Sequence, residues 1–340
     1  MAADVESRAA AQVEVTDRMM HVDHEEQVLD LRVNRMTWEA DGVLSLELRH
    51  VDGEDLPSWR PGAHADLQIP GVITRQYSLC GDPEDRSVWR IGVLREPDSK
   101  GGSKAVHESV RPGDVLTVVG PRNNFRFVPS ASYLFVAGGI GITPILPMIR
   151  AAEAGGAGWS LLYGGRTAGS MAFLDELVGY ADKITVRPQD TYGLLDLAGL
   201  LGAPQEDTVV YCCGPEPLIE AVEDLCGTWP KGSLHVERFA AKPREESDPS
   251  QEQPFELVLS RSGRSLTVQP GQSVLEAMEE AGLEAPNSCR EGICGTCETA
   301  VLDGLPDHRD SLLEDDEKEA NDTMMICVGR ALSQRLELDA

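Results

Sequence analysis

Near its C-terminal end the chain runs Asn287-Ser288-Cys289-Arg290-Glu291-Gly292-Ile293-Cys294-Gly295-Thr296-Cys297, and a fourth cysteine, Cys327, follows downstream. Four thiols at Cys-x4-Cys-x2-Cys…Cys have the plant-type spacing for a [2Fe–2S] cluster. They demand a fold that brings Cys327 back to the loop. The loop must also let its backbone approach inorganic sulfide, and Gly292 and Gly295 between the ligands permit that. Structural zinc, which favours paired Cys-x2-Cys knuckles, fits the spacing less well. A disulfide framework would need an oxidising compartment, of which the sequence carries no sign. A cluster carries one electron at a time, so the remainder of the chain has to supply electrons.

The 340 residues allow two or three domains. Met1 to Arg8 lacks a basic segment followed by an apolar one, so no secretion signal is read. The most apolar run, Tyr133 to Ile149, is broken by Gly138, Gly139, Gly141, Pro144 and Pro147 and is too short to span a bilayer. A soluble, cytoplasmic protein that acts as a monomer is expected. With 57 acidic against 30 basic residues the formal charge is −27, which opposes binding to nucleic acid or an anionic membrane. The acidity either docks a basic partner or only keeps the chain in solution.

Residues 1–26 have no apolar period and read as a flexible extension. From Gln27, alternating runs such as Val28 to Val33 and Val43 to Leu48 predict antiparallel strands. Further runs at Ala65 to Ile69, Gln76 to Leu79, Val88 to Leu94 and Val115 to Val119 complete a six-stranded barrel over 27–128. Inside it, Arg75-Gln76-Tyr77-Ser78 offers a phosphate fork, a ring to pack on a flavin and a hydroxyl for the redox-active ring nitrogen. Gly101-Gly102-Ser103 follows as a possible phosphate cradle at the start of a helix. Each motif alone is weak, and a plain loop reads as well for the second. Their order within one barrel strengthens the flavin mononucleotide reading.

At Ser132 the pattern changes. Tyr133 to Ala137 is continuously apolar, as for a strand buried on both faces, and leads into Gly138-Gly139-Ile140-Gly141-Ile142-Thr143-Pro144. Glycines there let a pyrophosphate approach the backbone, and Pro144 suits a first helical turn. Strands at Trp159 to Tyr163, Ile184 to Val186 and Thr208 to Cys212, alternating with helices, predict a parallel sheet over 129–239. Cys213-Gly214-Pro215 stands at its carboxyl edge, where Cys213 either meets a nicotinamide or is simply a buried cysteine. Residues 240–254 read as a linker, and 255–340 as the cluster domain, opened by a hairpin and a helix capped by Ser273 and Glu276. The acidic stretch Leu312 to Glu319 is either a solvated helix start or a docking surface.

Taken in order, these motifs, with Pro306-Asp307-His308-Arg309-Asp310, resemble the phthalate dioxygenase reductase family, which includes the reductases of vanillate-type O-demethylases. The resemblance covers about Gln27 to Ala340. It implies an antiparallel β-barrel flavin domain, an α/β parallel-sheet nucleotide domain and an α+β β-grasp ferredoxin domain. It implies an oxidoreductase passing electrons from NADH to FMN to [2Fe–2S] and on to a separate terminal oxygenase, Rieske-type or a cytochrome P450. Arg75, Gln76, Tyr77, Ser78, Gly92, Val93, Arg95, Gly102, Ser103 and Phe239 are assigned to FMN. Gly138, Gly139, Gly141, Thr143, Cys213, Gly214 and Pro215 are assigned to the pyridine nucleotide. Ser78, Thr143 and Cys213 are expected at the reacting atoms, and Cys289, Cys294, Cys297 and Cys327 on iron. A redox-sensing protein that keeps its cluster for signalling, and an oxidase that reacts with oxygen directly, are the competing functions. Cys212, which doubles the cysteine before Gly214, departs from the family pattern.

Overall fold

The computed structural model describes residues 26–69, 74–96, 101–242 and 251–340. The expected extension lies outside the described residues except for Glu26, as do most of the expected linker and the segment 97–100 before the Gly-Gly-Ser turn.

Six strands form the first unit: β1 (Gln27–Ala40), β2 (Val43–His50), β3 (His64–Gln68), β4 (Arg75–Ser78), β5 (Trp89–Leu94) and β6 (Val115–Arg122). They lie in the order β4-β3-β6-β1-β2-β5, each pair antiparallel. Leu79, just past β4, bridges to Ile91 in β5, so the two edges of the sheet meet and the barrel closes. Leu31, Val33, Leu46 and Leu48 point inward and are almost wholly buried, which is the outcome of their period-two spacing. Beyond Val33 the register of β1 shifts twice, so its outer half shows no clean alternation to read. The helix α1 (Gly102–Ser109) caps the barrel through buried Val106.

The second unit is a five-stranded parallel sheet: β7 (Ser132–Gly138), β8 (Gly158–Gly165), β9 (Ile184–Pro188), β10 (Thr208–Cys213) and β11 (Leu234–Glu237), in the order β11-β10-β7-β8-β9. Alternate residues of each strand serve opposite faces. Tyr133, Phe135 and Ala137 pack with Ile142, Ile145 and Ile149 of α2 (Ile142–Ala154). Leu134 and Val136 pack with Ile219 and Val222 of α3 (Glu216–Cys226). The doubled cysteine is resolved by the same alternation: Cys212 fills the α3 side and Cys213 the α2 side. Glu176, after β8, joins this unit to the barrel by accepting from Arg90 of β5 and Arg150 of α2, each at 2.6 Å.

The third unit is a mixed sheet of β12 (Phe255–Leu259), β13 (Arg264–Val268), β14 (Glu298–Asp303), β16 (Thr323–Met325) and β18 (Arg335–Leu338), ordered β13-β12-β18-β14-β16. A small pair, β15 (Pro306–Asp307) and β17 (Arg330–Ala331), flanks it. The first strand runs parallel to the last, and α4 (Val274–Glu280) crosses between, as in a β-grasp. Ser273 and Glu276 cap α4 reciprocally as the sequence predicts. The acidic stretch forms α5 (Asp315–Ala320), whose Asp316 pairs at 3.1 Å with Lys231 of the nucleotide unit. No helix among the described residues is long and apolar enough to cross a membrane.

Candidate functional site

Strand β4 delivers Arg75, Gln76, Tyr77 and Ser78 in sequence along the barrel edge. A side chain at Gly102 would put its Cβ 2.5 Å from Cγ of Arg75, so the Gly-Gly-Ser turn and the arginine form one cradle that only glycine leaves open. Arg75 donates to its neighbour's carbonyl, Thr74 O, at 3.0 Å, which sets its stem and leaves guanidinium donors for an anion. Gln76 Nε2 is buried with no partner among the described residues, an orphaned donor that fits a ring carbonyl. These observations fit a flavin phosphate and ring. Arg95 is turned instead toward Glu108 of α1, at 2.5 Å, while the Ser103 hydroxyl accepts from the Glu96 amide at 3.2 Å. Both lie on the rim of the cradle. Phe239 stands half-exposed just after β11.

The two glycine-bearing turns at the carboxyl edge of the parallel sheet lie against each other. A Cβ on Gly141 would fall 2.2 Å from Cys213 O, and one on Gly214 would fall 3.0 Å from the Gly138 backbone. Such contact leaves backbone amides bare at the head of α2, the setting for a pyrophosphate. Thr143 is buried and donates to Ile140 O at 2.9 Å. Its methyl comes so near the barrel that a Cβ on Gly92 would lie 2.8 Å from it. Val93 is buried beside it, with its carbonyl held by His107 at 3.0 Å.

Barrel and sheet also meet at the end of β4. Ser78 Oγ of β4 donates to Glu237 Oε2 of β11 at 3.4 Å, and Glu237 is the register partner of Cys213. Glu237 has no counterpart among the sequence-predicted residues. Its signal was an acid at the carboxyl end of Leu234-His235-Val236-Glu237, a strand the sequence does not mark strongly. Burial pushes its carboxyl from the ordinary 4.5 up to about 8, with the Ser78 hydroxyl pulling the other way. Burial, helped by the Glu237 charge and by Cys212, also pushes the Cys213 thiol well up. Cys213 is thus a neutral contact surface rather than a nucleophile.

The stability consequence has a definite sign. Below about 4.5 the Glu237 carboxyl is protonated whether the chain is folded or not; between 4.5 and about 8 the unfolded chain releases a proton that the fold retains. Stability is therefore present at acid pH and lost as pH rises through about 8. Glu237→Gln, which cannot ionise, is expected to match the parent in melting temperature at pH 5 and exceed it at pH 9. Parallel melting curves across that range would refute the assignment.

On the third unit, the cluster loop is held open by left-handed backbone at Arg290, Gly292 and Gly295. At Gly292 a Cβ would strike Val328 Cγ2 at 2.7 Å. The four thiols form one connected set, with Cys289 interacting with Cys294 and Cys327, and Cys327 with Cys297. Among the described residues no three metal-ligating side chains converge on a single-ion point. Four cysteines spread in this way suit two irons rather than one. The Glu291 amide and the Thr296 hydroxyl each lie 3.3 Å from a ligand sulfur, at Cys289 and Cys294 respectively. Such hydrogen bonds tune a cluster's potential.

The 2Fe-2S iron-sulfur cluster binding domain family matches residues 257–332. The chain is 42% identical to phenoxybenzoate dioxygenase subunit beta of Ectopseudomonas oleovorans over 92% of this chain and 97% of that protein. It is 36% identical to phthalate dioxygenase reductase of Burkholderia cepacia over 94% of this chain and 100% of that one. The solved structure of a phthalate dioxygenase reductase superposes with a TM-score of 0.68 at 35% identity, covering 92% of this chain and 98% of that chain. An intact type IV self-sufficient cytochrome P450 monooxygenase superposes with a TM-score of 0.87 at 42% identity; the match covers 92% of this chain but only 41% of that larger chain.

Proposed function

Because the chain belongs to the phthalate dioxygenase reductase family, we propose that the convergence of Ser78, Cys213 and Glu237 is the point where NADH meets FMN, upstream of the [2Fe–2S] cluster. The chain is an electron-transfer reductase component of an oxygenase system. FMN supplies the one chemistry the polypeptide lacks: it takes two electrons together as a hydride and releases them singly.

In this reading Arg75, Gly102 and Ser103 hold the phosphate, while Gln76, Tyr77, Ser78, Gly92 and Val93 line the ring. Arg95 closes the rim through Glu108. Gly138, Gly139, Gly141 and Gly214, with Pro215 opening α3, seat the pyrophosphate. Thr143 and Cys213 would face the nicotinamide, and Phe239, just after β11, would pack on the flavin ring. Hydride transfer needs no general base, so the neutral Cys213 and the neutral Glu237 act by shape and hydrogen bonding. Cys289, Cys294, Cys297 and Cys327 hold the cluster through which electrons leave. The observation that carries the reading is the Ser78–Glu237 hydrogen bond, because it joins the strand of the proposed flavin motif to the carboxyl edge of the nucleotide sheet beside Cys213.

The test is direct. Purified protein is expected to hold one FMN and one [2Fe–2S] cluster and to reduce ferricyanide with NADH, and with NADPH more slowly. Arg166, exposed past β8 where the ribose is placed, is the group to replace if NADPH proves the better donor. Protein that binds no flavin would end this reading, and a sensor would not turn over NADH.

A Rieske-type oxygenase is the proposed terminal acceptor. A cytochrome P450 is the second reading, favoured by the close superposition on part of a self-sufficient P450 chain. Adding each class of acceptor to the NADH-reduced protein distinguishes them by rate.

A further inference from the structure

Electrons leaving the barrel for the cluster must cross the boundary between the first and third units, and the described contacts across it are few. Asn124, two residues beyond β6, donates from Nδ2 to the carbonyl of Cys294 at 3.0 Å. The cluster loop accommodates this approach through Gly295, where a Cβ would sit 2.9 Å from that same Nδ2.

The turn that carries Asn124 is firmly mounted. Asn123 accepts from the Phe125 amide at 3.1 Å and donates to Pro61 O at 3.0 Å. Gly62 lies so close beneath that a Cβ there would be 1.8 Å from Phe125 O. Phe125 is buried and sits edge-on to Tyr211 of β10 at 5.4 Å, anchoring the turn on the nucleotide sheet as well. Just before it, Arg122 is nearly buried, bonded to Asp66 at 2.8 Å, Glu26 at 2.7 Å and His64 at 3.1 Å. The two carboxylates neutralise its charge, so the barrel presents the Asn124 amide to the cluster loop from a rigid, hydrogen-bonded mount.

We propose that Asn124 is a positioning residue for flavin-to-cluster electron transfer. It clamps the Cys294 segment on the barrel and makes the cluster easier to reduce. The step moves one electron from reduced flavin to the cluster, and no bond forms or breaks. A donor fixed at the peptide of Cys294 stabilises the added electron. The shorter and stiffer the gap, the faster the electron crosses. The inference rests on the reading above, since it takes flavin and cluster to occupy the sites assigned there.

The experiment uses full-length holoprotein carrying Asn124→Leu, close in size but without a donor, and Asn124→Gln, which retains an amide. Anaerobic mixing with NADH follows flavin and cluster bleaching separately, and an EPR-monitored titration gives the cluster potential. In Asn124→Leu the flavin is expected to be reduced at the parent rate. Cluster reduction is expected to slow at least tenfold, and the potential to fall by the equivalent of a tenfold change, about 59 mV for one electron. Hydrogen exchange at residues 293–296 should quicken. Asn124→Gln should recover part of each change and keeps the test decisive if the leucine variant fails to hold its cluster. An unchanged potential, exchange rate and cluster-reduction rate in cluster-loaded variants would overturn the proposal. A parent protein that holds no flavin, or whose flavin NADH does not reduce, would instead defeat the underlying functional reading before any variant is compared.

Discussion

Cys294→Ser is expected to abolish electron delivery to a one-electron protein acceptor, by at least about a hundredfold, while NADH-driven ferricyanide reduction stays within about twofold of the parent; loss of a ligand should exceed the 10–100-fold cost of losing its outer-shell support. The asymmetry follows from how the cores are divided. Barrel residues such as Leu46, Trp89 and Val106 pack among themselves, and the parallel sheet has a core on each face, the one on the α2 side shared with Val43, Cys80 and Phe125 of the first unit. Cys297 and Cys327 belong to a separate core with Leu275, Met278 and Met325. Damage at the cluster loop therefore stays within the third unit. Serine is a poor ligand for iron, and Cys80, Cys212, Cys213 and Cys226 are buried in cores outside the third unit, so none of them can stand in for Cys294. The check is visible absorbance and EPR for cluster content alongside both assays on one preparation. Equal loss of both activities in a folded protein would mean that the cluster does not lie downstream of the flavin.

The parts of this arrangement legible in the sequence were those that obey a local rule. Cysteine spacing located the cluster loop, period-two runs located five strands of the barrel and half of the sixth, and an apolar run ending in glycines located β7 and its turn. What stayed hidden was set by register between distant strands. Glu237 gains its meaning only because β11 lies parallel to β10 and pairs it with Cys213. Asn124 looks like an ordinary loop residue until the third unit brings Cys294 to it. The strands β15, β16 and β17 are only two or three residues long, too short for a period to mark them. Arg95 is legible as a cation beside the flavin motif, but its pairing with Glu108 of α1 is set by the fold and has no local signal.

Gly141→Ala should be the most damaging single methyl in the nucleotide unit. The added carbon would stand 2.2 Å from Cys213 O, 2.4 Å from Cys213 C and 2.7 Å from Gly214 N. All three are backbone atoms at the end of β10, so no side-chain rotation relieves the clash. Ordinary contact requires a shift of about 1 Å, which moves Cys213 away from Thr143 and, through the strand pairing, disturbs Glu237. Misplacing a reacting group by about 1 Å costs roughly a hundredfold in rate, and overpacking of this kind about 1–3 kcal/mol in stability. NADH-dependent flavin reduction should therefore fall about a hundredfold, while dithionite, which needs no nucleotide site, still reduces both FMN and the cluster. Gly156→Ala, beyond α2 and outside the nucleotide seat, is the control: nothing lies within 4 Å of its Cβ, so its cost is confined to a left-handed backbone at φ 70, about 1 kcal/mol. If the two variants reduce flavin equally fast, the close approach of the turns is a feature of packing alone, and the nucleotide seat must be sought elsewhere on the sheet edge.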